Sequence, residues 1–250
     1  MTFFKSKKWY NELMENNKTN QKVSLPVAII VAGFLIMIGI ILAGGSKNVQ
    51  TGSKTLSEQV GVSKDKLKEC LDNKDVQKLL EDTSISADLA MKHLPQGERG
   101  TPYSVIIGKN GVKTEIRGAE SIENVKLLIE EVKSGKVTNE YKGEIPVVTE
   151  SDHIIGDMNA PVVIVEYSDL ECPYCKRFGG VMKQVIEESN GEVAWVYRHW
   201  VVHQGAVAKT VASECVAELK GKDAFFKYVD LIFGLMKTAE DEANEANSQL

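Results

Sequence analysis

Two cysteines separated by Pro-Tyr, Cys172 and Cys175, stand in the run EYSDLECPYCKRF, directly after an apolar, β-branched stretch. Residues at i and i+3 share a side of a helix, so a helix opening at Pro173 brings both sulfurs together. Proline at the first helical position loses no hydrogen bond and has its φ preset. Cys172 is thereby left near the N-cap, where free backbone N–H groups and the positive end of the helix dipole favour thiolate over thiol. The spacing therefore points to Cys172 as attacking nucleophile and Cys175 as the thiol that resolves a mixed disulfide. Asp169 and Glu171 oppose the thiolate, Lys176 and Arg177 favour it, and the residue order leaves that balance open.

Glu166 is an acid inside the strand leading to this site. Buried there, it needs a partner or a proton-transfer role, and a relay to or from Cys175 is the reading preferred over a water-facing strand edge. A zinc site is the competing use of CxxC. It needs two more ligands, whereas Cys70 and Cys215 lie far off on segments of their own, and His93, His153, His199 and His203 form no metal-type cluster. These histidines read as surface or packing residues. No metal is expected, and no cofactor beyond a redox-active Cys172–Cys175 disulfide.

The elements that must position these groups follow from periodicity. Short helices are expected over Thr55–Gly61 and Ser63–Leu71, with Ser63 as N-cap, and a longer one from Lys74 to Leu94. Tyr103–Lys109 and Val112–Arg117 read as strands joined through Lys109-Asn110-Gly111, a hairpin signal. Ser121–Val132 carries a one-sided apolar stripe. Residues Ser134–Glu150 read as a linker. Pro161–Tyr167 suits a central strand buried on both faces. A helix over Pro173–Ser189, a strand over Val193–Trp200 and helices over Gly205–Leu219 and Asp223–Met236 follow, and residues 239–250 form a polar tail.

The chain of 250 residues carries a net charge of −5 and no basic block, so nucleic acid is not an expected partner. The uncharged stretch Val23–Ser46 is long enough to span a bilayer as a helix. Lysines 5, 7, 8, 18 and 22 precede it, against Lys47 and Lys54 after it, which places residues 1–22 in the cytoplasm and the rest outside. The expectation is a single-pass protein of the cell membrane with an extracytoplasmic domain, in a compartment that uses disulfides.

The segments HIIGDMNAPVVIVEYSDLECPYCKRF, VAWVYRHW and ASECVAELKGKDAFFKYVDLIF resemble the DsbA-like thiol:disulfide oxidoreductases of the thioredoxin superfamily. The resemblance implies an α/β, thioredoxin-like fold with an inserted helical subdomain. It covers only the front half of such a domain. The later half resembles segments that come earlier here: LSEQVGVSKDKLKECLDNKD as helices, RGTPYSVIIGKNGVKTEIRGAE as cis-proline loop and hairpin, SIENVKLLIEEV as closing helix. The order is rotated, as in a circular permutant with residues 55–134 as C-terminal half, 135–150 as linker and 151–238 as N-terminal half. Two incomplete domains, or halves paired between chains, are the alternatives.

By this resemblance Cys172 is the nucleophile, Cys175 the resolving cysteine, Glu166 the buried acid and Pro102 the cis-proline preceded by Thr101. Thr101, Pro102, Pro173 and Tyr174 would face the substrate, with Tyr174 where the better-known CPHC variant has histidine. Cys70 and Cys215 fall in the inserted subdomain and are candidates for a structural disulfide. The implied function is disulfide exchange with cysteine-containing exported proteins. A reductase or isomerase fed by a membrane redox partner and a non-enzymatic peptide-binding module are the alternatives.

Overall fold

A computed structural model describes residues 54–236. The segment 1–22, the membrane span expected over 23–46 and the tail 239–250 lie outside the described residues. Among the described residues no helix is long and apolar enough to cross a membrane.

Local chemistry starts most helices. Thr55 forms a capping box with Glu58 ahead of α1 (Leu56–Gln59). Ser63 accepts from the Lys66 N–H to open α2 (Lys64–Asn73), and Asp75 does the same for α3 (Val76–Ala90). The hairpin of β1 (Tyr103–Gly108) and β2 (Lys113–Arg117) precedes α4 (Ile122–Ser134), which Ser121 caps. Then come β3 (His153–Ile155), β4 (Val162–Ser168), α5 (Pro173–Glu188), β5 (Val193–His199), α6 (Ala206–Lys220) and α7 (Lys222–Leu235).

All five strands form one sheet in the order β2-β1-β4-β5-β3. β4 runs parallel to β5 and antiparallel to β1, with Tyr103 opposite Tyr167 and Ser104 opposite Glu166. The start of β1 therefore lies beside the end of β4, which brings the Thr101–Pro102 loop to the edge where the CxxC turn begins. Alternate residues of β4 enter different cores. Ile164 joins Phe178, Met182, Trp195 and Phe225 on one face, and Val165 joins Ala87, Met91, Tyr103 and Val196 on the other. The sheet is covered on both sides, as the apolar run of β4 requires.

Two segments differ from their sequence reading. β3 was not expected, because three residues show no periodicity; it exists through antiparallel pairing with Trp195–Tyr197 of β5. Residues 135–150 contain no helix or strand, yet they pack. Tyr141 is buried, donates its N–H to the Lys113 carbonyl (3.1 Å) and its hydroxyl to the Ala90 carbonyl (2.9 Å), while Ile145 and Val148 cover the second core. Gly143 permits this approach, since a Cβ there would stand 2.2 Å from the Ala90 carbonyl oxygen.

Candidate active site

Cys172 is the N-cap of α5 and Pro173 its first residue. The Cys172 N–H donates to the Asp169 carbonyl (3.1 Å), and the Cys172 carbonyl accepts from Lys176 (3.1 Å), so the turn is closed before the helix begins. Both thiols are free; Cys175 is fully buried and Cys172 is 4% exposed. Cys172 Sγ lies 3.4 Å from the carbonyl oxygen of Thr101, to which its thiol form can donate, and the bond from Thr101 to Pro102 is cis. Cys175 Sγ accepts the Asp169 N–H (3.4 Å).

The two sulfurs are driven apart in acidity. A hydrogen bond from the Cys175 thiol, joined by the Thr101 side chain and the N–H groups of Cys175 and Tyr174, outweighs burial and brings the Cys172 thiol down to about 5. Burial first, then the bond Cys175 donates to Cys172 and the charge of Glu166, push the Cys175 thiol far up. The pair is thus one thiolate held by one thiol.

The four charged neighbours left open by the sequence each have a local partner. Asp169 is buried and accepts the N–H groups of Glu171 (2.7 Å), Val202 (2.7 Å) and His203 (2.9 Å). Glu171 pairs with Lys209 (2.5 Å). Lys176 donates to the Met236 carbonyl (2.7 Å), and Arg177 donates to the Ala119 carbonyl (3.2 Å) while lying over the Tyr174 ring. The principal supports of the thiolate are hydrogen bonds within the turn and from Thr101, with none of these four charges among them.

Glu166 sits at the centre of the sheet, not at a water-facing edge, because β4 has β1 on one side and β5 on the other. Its Oε2 accepts from Trp195 Nε1 (3.0 Å), while Oε1 has no hydrogen-bond partner. Ser104 Oγ, Ser168 Oγ and Tyr197 OH are likewise buried without partners, and Ser104 and Tyr197 flank Glu166 in register. Burial outweighs the Trp195 bond and the nearby Ser168 hydroxyl and raises the carboxyl to about 7, with the Cys172 charge adding to it. A cavity of about 200 Å³ between α5 and α7 reaches Glu166 and Tyr197 past Gly179 and Gly180. Trp195, Tyr197 and Ser168 are site residues that the motif does not reveal; the alternation of VAWVYRHW marks Trp195 and Tyr197, and Ser168 stands two residues beyond Glu166 on the same strand.

Tyr174 is 57% exposed beside the sulfurs, and Pro173 holds the helix start. Cys70 and Cys215 lie elsewhere, bonded to each other between α2 and α6 with Cα atoms 5.8 Å apart. With Glu218 they form the group of three possible metal ligands found among the described residues, but both sulfurs are consumed by the disulfide. His199 is buried, donating or accepting at Ser213 (3.0 Å), and burial lowers its pKa to about 4. His153 bonds Glu214 (2.9 Å), and His93 bonds Glu115 (2.8 Å). Of the histidines, only His203 reaches the CxxC turn, through Asp169.

Residues 148–249 match the family model described as Thioredoxin. Among curated proteins, the chain is 39% identical over 80 residues to the Na(+)/H(+) antiporter NhaA 1 of Mycolicibacterium vanbaalenii, an alignment covering 31% of this chain and 13% of the antiporter. It is 46% identical over 55 residues to that of Mycobacterium sp. strain KMS, covering 22% and 9%, and 31% identical over 99 residues to NhaA of Herminiimonas arsenicoxydans, covering 40% and 16%. The chain thus spans less than a fifth of the length of these relatives. The family match over residues 148–249 and a mixed α/β fold around a five-stranded sheet together support a thioredoxin-superfamily domain.

Proposed function

We propose that the protein is a membrane-anchored, extracytoplasmic thiol:disulfide oxidoreductase of DsbA-like type whose domain is circularly permuted. The observation that carries this reading is the meeting of Cys172 Sγ with Thr101, which completes a CxxC site from a loop upstream in the chain. The single sheet, with β1 paired to β4, supports a domain closed within one chain. The membrane anchor rests on the uncharged stretch Val23–Ser46, and the antiporter activity named for the relatives is not carried over from so short a shared segment.

In the oxidising direction, a client thiolate attacks Cys172 Sγ of the Cys172–Cys175 disulfide. The S–S bond breaks, a client–Cys172 mixed disulfide forms, and Cys175 leaves as a thiolate that takes a proton, with Glu166 as donor. A second client thiolate attacks the client sulfur of the mixed disulfide and releases Cys172 as a thiolate. The client has lost two electrons and the cysteine pair has gained them. Stabilising the Cys172 thiolate favours the reduced protein, hence client oxidation. The Thr101 backbone offers an edge for β-type pairing with an extended client, with Pro102, Pro173 and Tyr174 around it. Cysteine-containing exported proteins are the clients, and a membrane redox partner restores the disulfide.

Peptide-dithiol oxidation by the oxidised protein, abolished in Cys172→Ser, tests the reading. Equal turnover by that variant would refute it. Equilibration with glutathione assigns the direction: a potential near that of thioredoxin would replace the oxidase by a reductase.

A further inference from the structure

We infer that Asp169 is a positioning residue that fixes a client-docking ridge, Val201–His203, in place beside Cys172; this rests on the oxidoreductase reading. The loop after β5, residues 200–204, is neither helix nor strand. The amides of Val202 and His203 are held by one side chain. Asp169 Oδ2 accepts the N–H groups of Val202 (2.7 Å) and His203 (2.9 Å), and Oδ1 accepts that of Glu171 (2.7 Å) and lies 3.2 Å from His203 Nδ1. The carboxylate is wholly buried, a placement that is costly unless each lone pair is occupied, and here both oxygens are.

The same residue holds the sulfurs. Its N–H donates to Cys175 Sγ and its carbonyl accepts the Cys172 N–H. The position of the ridge is therefore referenced, through one residue, to both reacting cysteines. One neighbouring hydrogen bond closes the same seam, from the Trp200 N–H to the Ser168 carbonyl (2.8 Å), and Gly205 leaves room for Glu171, whose Cδ would stand 3.1 Å from a Cβ there. What the loop presents is Val202, 45% exposed, with the half-exposed His203 beside it. An extended client whose backbone pairs at Thr101 meets Val202 as a second, apolar contact, which favours apolar residues next to the client cysteine.

The experiment compares wild-type protein, Asp169→Asn and Val202→Ser. Asparagine keeps one acceptor oxygen and turns an NH₂ group toward N–H donors, so the Val202 and His203 amides are expected to lose protection from hydrogen exchange. KM for a peptide substrate with an apolar residue beside its cysteine is expected to rise on the order of tenfold, more than kcat falls, the ratio that one charge-assisted hydrogen bond carries. Val202→Ser, which leaves the carboxylate and its bonds in place, is expected to raise KM for that peptide and not for one bearing a polar neighbour. This exposed variant decides the docking role even where Asp169→Asn does not fold. Unchanged exchange in Asp169→Asn, or equal KM in Val202→Ser, overturns the inference. Absence of turnover by the wild-type protein overturns the oxidoreductase reading and the docking role with it, while amide exchange still reports the clamp.

Discussion

Cys172 Sγ and the carbonyl oxygen of Thr101, on residues 71 apart in sequence, lie 3.4 Å from each other. The antiparallel register of β1 on β4 produces this contact, since it sets Tyr103 opposite Tyr167 and so delivers the preceding loop to the CxxC turn. Chain order is immaterial to such a site; adjacency of the strand ends is what it requires.

Reduced protein should be alkylated at Cys172 before Cys175. With the thiol brought to about 5, the alkylation rate should stay level from neutral pH downward and fall through that value. The stability this thiolate contributes to the reduced protein is present above the ordinary thiol value of 9.0 and is lost as pH falls through about 5. Because the Cys175 thiol is its first support, Cys175→Ala should raise the midpoint by about one unit, the worth of a charge-assisted hydrogen bond. Mass spectrometry showing first adducts on Cys175 would contradict the assignment.

Glu166→Gln should stabilise the protein at pH 8 and change little at pH 4. The folded value, about 7, lies above the ordinary 4.5, so the folded state holds the extra proton between these values and its stability falls as pH rises through that window. The full penalty above the window is roughly 3 kcal/mol at about 1.4 kcal/mol per unit. The same substitution should slow the departure of Cys175 in client oxidation. Thermal unfolding at the two pH values, with stopped-flow oxidation, checks both; equal destabilisation at each pH would disprove the penalty.

Replacing Cys70 and Cys215 together by alanine should cost about 2–4 kcal/mol, because their bond closes a long loop in the unfolded chain. The separation is 145 residues, and the bond ties α2 to α6. Denaturant unfolding reads the loss, and the Cys172 alkylation profile should be unaltered, since the bridge lies outside the CxxC turn.

Tyr174→His should lower the Cys172 midpoint further and make the disulfide more oxidising. Residue 174 is exposed and its N–H already supports the thiolate, so an imidazolium there adds a cation at the sulfur. Equilibration with glutathione at pH 6 and pH 8 measures it, with the larger effect expected at pH 6, where histidine is charged. No difference from wild type at pH 6 would disprove the effect.

The sequence by itself determined what short-range chemistry determines. Ser63 marks its helix because a hydroxyl can cap only the turn that follows it, and Lys109-Asn110-Gly111 marks its hairpin through turn chemistry that is equally local. The apolar run of β4 and the Pro173 helix start are equally local, and together they set Cys172 at an N-cap. The tertiary structure alone decided what depends on register and on partners distant in the chain. It showed Glu166 at the centre of the sheet with Trp195 on one oxygen, Asp169 turned from the thiolate toward the Val202 and His203 amides, and Tyr141 folded onto the Ala90 carbonyl in a segment that reads as linker. A carboxylate or a tyrosine has the same letter whether it is solvated or bonded to a remote amide, and only the packing of strands and loops supplies the donor that distinguishes the two.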